Sequence, residues 1–180
     1  TKQMGVSREN NFMDYSIGGT ASNQYNISEK VSIGFIASMN YKLDTDYYES
    51  VVNRSVAVRN GEQQDFDGQE GELGSIQSIA SGLLGISVKT GSFKHNATIL
   101  AIRSGESNGF DGIIEDYIEN PYSGITNTMT HTEREILTVP FSGAYRLSDK
   151  FSFDWKFAPS VVRVRDIDFR KSVFNVLNNG

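Results

Sequence analysis

Cysteine is absent from this chain, proline occurs three times, and positive charge is scarce. Without cysteine there is no disulfide framework, no thiol nucleophile and no thiolate metal site. Seventeen Lys and Arg against 22 Asp and Glu give a net charge of −5, so the basic surface of a nucleic-acid binder is missing. His95 and His131 are the only histidines, and they do not stand at a metal-ligand spacing. No run approaches ~18 apolar residues, which excludes a transmembrane helix. It does not exclude membrane strands, which need only about 9–11 residues, half of them polar. A mean hydropathy of −0.37 is therefore compatible with a bilayer. No signal peptide is legible, so an exported protein is expected here as its mature form or an internal piece.

What is present leans toward β structure: 11 Phe, 8 Tyr and 17 Gly in 180 residues. One pattern occurs twice. Ile27-Ser28-Glu29-Lys30-Val31-Ser32-Ile33 returns as Leu147-Ser148-Asp149-Lys150-Phe151-Ser152-Phe153. Each is a polar turn followed by strict apolar/polar alternation, the period of a strand with one apolar and one polar side. The chain reads as about six long strands in three hairpins, about 12–48, 76–106 and 129–165. Tight turns fall at Ser28-Glu29-Lys30, Gly91-Ser92 and Ser148-Asp149-Lys150. Long loops are expected at 49–75 and 107–128, which are rich in Gly, Asn, Asp, Glu and Ser. Pairing Ile27 with Val31, Leu147 with Phe151 and Thr90 with Phe93 makes all three apolar sides consistent. It also sets Gly143 opposite Trp155. Pro140 and Pro159 interrupt strands and mark bulges or limits of pairing.

Two architectures share this alternation: a soluble β-barrel or sandwich, and a membrane barrel. Long strands and connections that alternate short and long favour the membrane barrel. The expected fold is all-β, with antiparallel up-and-down strands forming part of a large transmembrane β-barrel. Its lipid face would carry Ile17, Val31, Ile33, Phe35, Met39, Tyr41, Leu84, Ile86, Val139, Phe141, Tyr145, Phe151, Phe153, Trp155 and Phe157. Its lumen face would carry Ser32, Asn40, Lys42, Asp154 and Lys156. Tyr15, Tyr41, Tyr145 and Trp155 suit an interfacial aromatic girdle or ordinary cross-strand packing. Arg163 has the parity of Trp155, so either it lies beyond the apolar band or the strand changes phase at Pro159.

No catalytic constellation emerges. Glu133 and Glu135 share a strand face, as general acid/base pairs can, or form a charged strand mouth. There is no Gly-x-Ser-x-Gly elbow and no phosphate-binding glycine loop leading into a helix. Asp65, Asp67 and Glu70, around Gly68, are candidate calcium ligands or part of a solvated acidic loop. Phe110, Tyr117 and Tyr122 are candidates for stacking on a ligand within the expected loops. No cofactor is expected.

The final third carries a family resemblance. The segments are Thr132-Glu133-Arg134-Glu135, Leu137-Thr138-Val139-Pro140-Phe141-Ser142-Gly143, Asp154-Trp155-Lys156-Phe157-Ala158-Pro159-Ser160 and Asp166-Ile167-Asp168-Phe169-Arg170. Together they resemble the middle of the barrel in TonB-dependent outer-membrane receptors, with Ile167 where proline is common. Leu83-Leu84-Gly85-Ile86-Ser87-Val88-Lys89-Thr90 and Arg103-Ser104-Gly105-Glu106-Ser107 are similar to the same barrel. The resemblance implies a barrel of about 22 strands with a plugged lumen. It further implies import of a scarce nutrient (siderophore, glycan or peptide) across the outer membrane of a Gram-negative bacterium. The implied partners are outer-membrane lipid, TonB through parts outside this chain, and a surface lipoprotein. The passive alternative is a porin-like channel, and the soluble one is a β-rich cell-surface binding module.

Overall fold

Alternating β-branched and aromatic residues favour extended chain, and strand makes up 91% of the described residues in the computed structural model. The described residues are 13–59, 61–116, 122–148 and 150–175, with side chains at 57, 59, 64–66, 116, 122 and 175 left aside. Eight strands follow in order: β1 (Tyr15–Ser28), β2 (Val31–Arg59), β3 (Glu62–Lys89), β4 (Phe93–Asp116), β5 (Tyr122–Thr138), β6 (Phe141–Ser148), β7 (Phe151–Phe157) and β8 (Ser160–Asn175). They form one antiparallel up-and-down sheet, ordered β1-β2-β3-β4-β5-β8. β6 pairs with the start of β4 and with β7.

The two proline-containing breaks face each other. Thr138 lies opposite Ser160 and Phe141 opposite Phe157, leaving 139–140 against 158–159. Proline has no N–H to give, so both act as acceptors. Thr98 N donates to the Pro140 carbonyl and Val139 N to the Pro159 carbonyl, each at 3.0 Å. The register is the same on both sides of the gap. β6 is thus the continuation of β5, and β7 leads into β8. In effect the sheet has six long ribbons.

The repeated turn sequence makes the same local structure twice. Lys30 N donates to Ser28 Oγ at 3.4 Å and Lys150 N to Ser148 Oγ at 3.3 Å. Each hairpin carries a bulge at the same place, between Asn26 and Ser28 and between Arg146 and Ser148. The bulges correct the expected pairs: Val31 faces Ser28 rather than Ile27, and Phe151 faces Ser148 rather than Leu147. Beyond them the expected register is observed, with Ile17 opposite Tyr41, Ile86 opposite Ala97, and Gly143 opposite Trp155.

The expected long loops are the larger correction. Residues 49–59 and 62–75 extend β2 and β3, while 107–116 and 122–128 extend β4 and β5. Gly61, with φ of +84°, sits at the far end of the β2–β3 ribbon, in the left-handed region that glycine enters freely. β2 spans 29 residues, or roughly 95 Å at about 3.3 Å per residue. That is several times the ~30 Å hydrocarbon thickness of a bilayer.

The sheet is not closed. β1 pairs only with β2 and β8 only with β5 among the described residues. No hydrophobic side chain among them is buried, and Ile17, Met39, Leu84 and Phe157 are each more than 60% exposed. A sheet this apolar needs a cover on its faces that the described residues do not supply.

Candidate functional site

Register and alternation sort the side chains onto two faces. The first face gathers Ile17, Val31, Ile33, Phe35, Met39 and Tyr41 from β1 and β2, with Leu84 and Ile86 from β3. Phe141, Tyr145, Phe151, Phe153, Trp155 and Phe157 continue it through β6 and β7. Val139 lies in the proline break, at the same parity as Phe141. These residues form one continuous apolar band.

Aromatic rings mark both ends of the band. Near the tight turns, His95 packs against Phe93 and Tyr145, each at 5.2 Å between centroids, and against Trp155 at 6.1 Å. Gly143 makes room for this cluster: a Cβ there would collide with the Trp155 indole and come within 2.9 Å of His95 Nδ1. At the other end Tyr15 meets Tyr41 at 5.9 Å.

The band is not level across the strands. It ends at Tyr15 and Leu43 on β1 and β2, opposite Ser78. On β4, β5 and β8 it ends at Ala101, Leu137 and Val161, opposite Gly82. Its lower limit moves the same way by about two residues, from Val31 toward Phe151. The upper limit drifts about four residues, roughly 14 Å, over five strand spacings of roughly 24 Å. A level upper edge then crosses strands inclined by about 30°, close to the ~35–45° of membrane barrels.

Charge begins abruptly beyond the band. Arg103 follows Ala101 on the same face, and Arg163 follows Val161. Arg163 is therefore beyond the apolar residues, with no change of phase at Pro159. Arg103 Nη2 donates to both Glu133 carboxylate oxygens at 2.9 Å. Glu135 lies 3.8 Å from Arg103, 3.6 Å from Arg163 and 3.5 Å from Arg165. Glu133 and Glu135 thus share a face and are held by arginines. Ser107 Oγ is 2.7 Å from His131 Nδ1, and His131 Nε2 is 4.0 Å from Glu133. The second distance is too long for a hydrogen bond, Glu133 is already engaged, and Ser107 sits mid-strand. This is not triad geometry.

The second face holds Ser32, Asn40, Lys42, Asp154 and Lys156, as their parity requires. Farther from the turns, Asn108 Nδ2 and Arg134 Nη1 each donate to Glu106 at 3.0 Å. These two donors hold the Glu106 carboxyl below its ordinary range, the Asn108 amide foremost. The second face also has an apolar patch that sequence reasoning missed. Leu83 faces Leu100, and Ile102, Ile136 and Val162 form one row. Its signal was present in the doublets Leu83-Leu84, Ile99-Leu100, Ile136-Leu137 and Val161-Val162, since neighbours in a strand point to opposite faces.

The calcium reading does not hold for the described residues. Residues 62–89 are strand, so Asp67 and Glu70 point to opposite faces and cannot converge on one ion. No group of three candidate metal ligands occurs among the described residues, and the Asp65 side chain lies outside them. Of the ligand-stacking candidates, Phe110 lies within β4 on the second face, opposite Leu73 and Thr128. Tyr117 and the Tyr122 side chain lie outside the described residues. No family model and no curated protein matches the chain.

Proposed function

We propose that this chain is part of the wall of a TonB-dependent outer-membrane transporter, a barrel closed by further strands. The first face anchors it in lipid, the second faces the lumen, and the strand extensions stand in water, where a scarce nutrient is captured. The observation that carries this reading is the oblique apolar band with aromatic rings at both ends. Lipid-facing bands about 25 Å tall with aromatic girdles are what bilayer solvation selects in barrel strands. Eight residues separate Phe153 from Val161, or roughly 27 Å along the strand.

The patch on the second face favours an occupied lumen over a porin-like channel. An open aqueous pore leaves Leu83, Leu100, Ile102, Ile136 and Val162 in water at considerable cost, whereas a plug can cover them. TonB, and a surface lipoprotein partner, would act through parts outside this chain. The test uses cells making the complete protein. Uptake of its nutrient should stop when the proton-motive force is collapsed, and the purified barrel should show no steady conductance in planar bilayers. Uptake that survives uncoupling, with a constant open-channel current, would assign a passive channel instead.

A further inference from the structure

We propose that the arginine belt above the apolar band, formed by Arg103, Arg163 and Arg165, binds phosphate groups of anionic lipids in the leaflet nearest the long strand extensions. The inference rests on the membrane reading above, which sets the first face against lipid. Arg103 and Arg163 each stand two residues past the end of the apolar band on their strand, at Ala101 and Val161, roughly 7 Å farther along it. That is headgroup depth if the band spans the hydrocarbon.

The cluster is not a closed set of ion pairs. Three guanidinium groups share two carboxylates, Glu133 and Glu135, in a chain whose overall charge is −5. The carboxylates are the less exposed partners, at 17% and 34%, against 61%, 59% and 49% for Arg103, Arg163 and Arg165. Each guanidinium carries five N–H donors in a planar fork. The contacts to Glu135, at 3.5–3.8 Å, leave donors on each guanidinium unused, and all three groups are about half exposed or more. An exposed fork beside a hydrocarbon surface matches a phosphate carried on acyl chains, because the same face offers both the charge partner and the apolar seat. Free phosphate would gain only the first.

The experiment measures binding of short-chain fluorescent phosphatidic acid and phosphatidylcholine to the complete barrel in neutral detergent micelles, with inorganic phosphate as competitor. At about fivefold per arginine, the variant R103A/R163A/R165A should lose on the order of 100-fold in affinity for phosphatidic acid. Phosphatidylcholine binding should not change. The lysine variant R103K/R163K/R165K keeps the charge and should lose less than tenfold, and resistance to heat unfolding in detergent shows that both variants are folded. A folded alanine variant with unchanged affinity would overturn the inference. So would equal binding of the two lipids, or inorganic phosphate competing as strongly as phosphatidic acid. A complete protein that stays soluble without detergent would instead remove the membrane reading beneath it.

Discussion

Phe157 occupies the middle of the apolar band on its strand, four residues from Phe153 and four from Val161, with 62% of its surface exposed in the open sheet. Replacing it with arginine places a charge at the centre of the proposed lipid face. Such a charge costs about 2–4 kcal/mol at the bilayer midplane and about 0–1 kcal/mol near an interface. Phe153, which pairs with Tyr145 close to the tight turn, lies near the band's edge, one same-face position inside Phe151. Phe157→Arg should therefore weaken folding of the complete barrel into phospholipid vesicles by about 30- to 900-fold. Phe153→Arg should weaken it by less than about fivefold. Asp154→Arg, on the opposite face beside Phe153, should cost little in a wet lumen. The assay is equilibrium unfolding in guanidinium chloride with vesicles present, each variant compared at equal slope. Equal costs for Phe157→Arg and Phe153→Arg would refute the depth argument. A large cost for Asp154→Arg would refute the assignment of faces.

Gly143→Val should destabilise the barrel by about 1–3 kcal/mol and shift the fluorescence of Trp155, since the added atoms meet its indole and His95; unchanged emission would show that the ring does not lie over Gly143. Because Glu106 is held below the ordinary carboxylate range, its contribution to stability is present above that range and lost as pH falls through the lowered value. Glu106→Gln should flatten the acid limb of a plot of denaturant midpoint against pH, and a variant as acid-sensitive as the parent would contradict this. Ile102→Lys charges the patch on the second face and should open a measurable conductance in planar bilayers by displacing whatever covers it. A silent barrel after that change would count against an occupied lumen.

The sequence was most legible where one face is apolar and the other polar. From Val31 to Leu43 the alternation left one acceptable register, because a slip of one residue exchanges the faces. The pairing of Gly143 with Trp155 was readable for a simpler reason: the largest side chain needs the smallest neighbour. Beyond the band the signal fails. Residues 49–75 and 107–128 have the Gly, Asn, Asp and Glu content of loops, yet the structure pairs most of them as strand. Without a continuous apolar side nothing enforces alternation, so composition alone cannot separate a paired ribbon from a loop. The bulges at Ile27 and Leu147 were hidden because a residue left out of pairing keeps its apolar character. The patch on the second face is hard to read because each doublet puts apolar residues on both sides of its strand, which erases the alternation. The drift of the band across the strands needs all the registers at once, which no single hairpin contains.

The most direct test replaces residues 153–157 with cysteine one at a time, in a segment that has none of its own and with any cysteine elsewhere in the complete protein first changed to serine. Each cysteine carries a nitroxide in the complete protein reconstituted in bilayers, and its collisions with oxygen and with a water-soluble nickel chelate are compared. The account predicts a period of two: positions 153, 155 and 157 meet oxygen dissolved in hydrocarbon, and 154 and 156 do not. Nickel reaching 153, 155 and 157 as readily as 154 and 156, or a pattern unchanged when the lipid is removed, would contradict it.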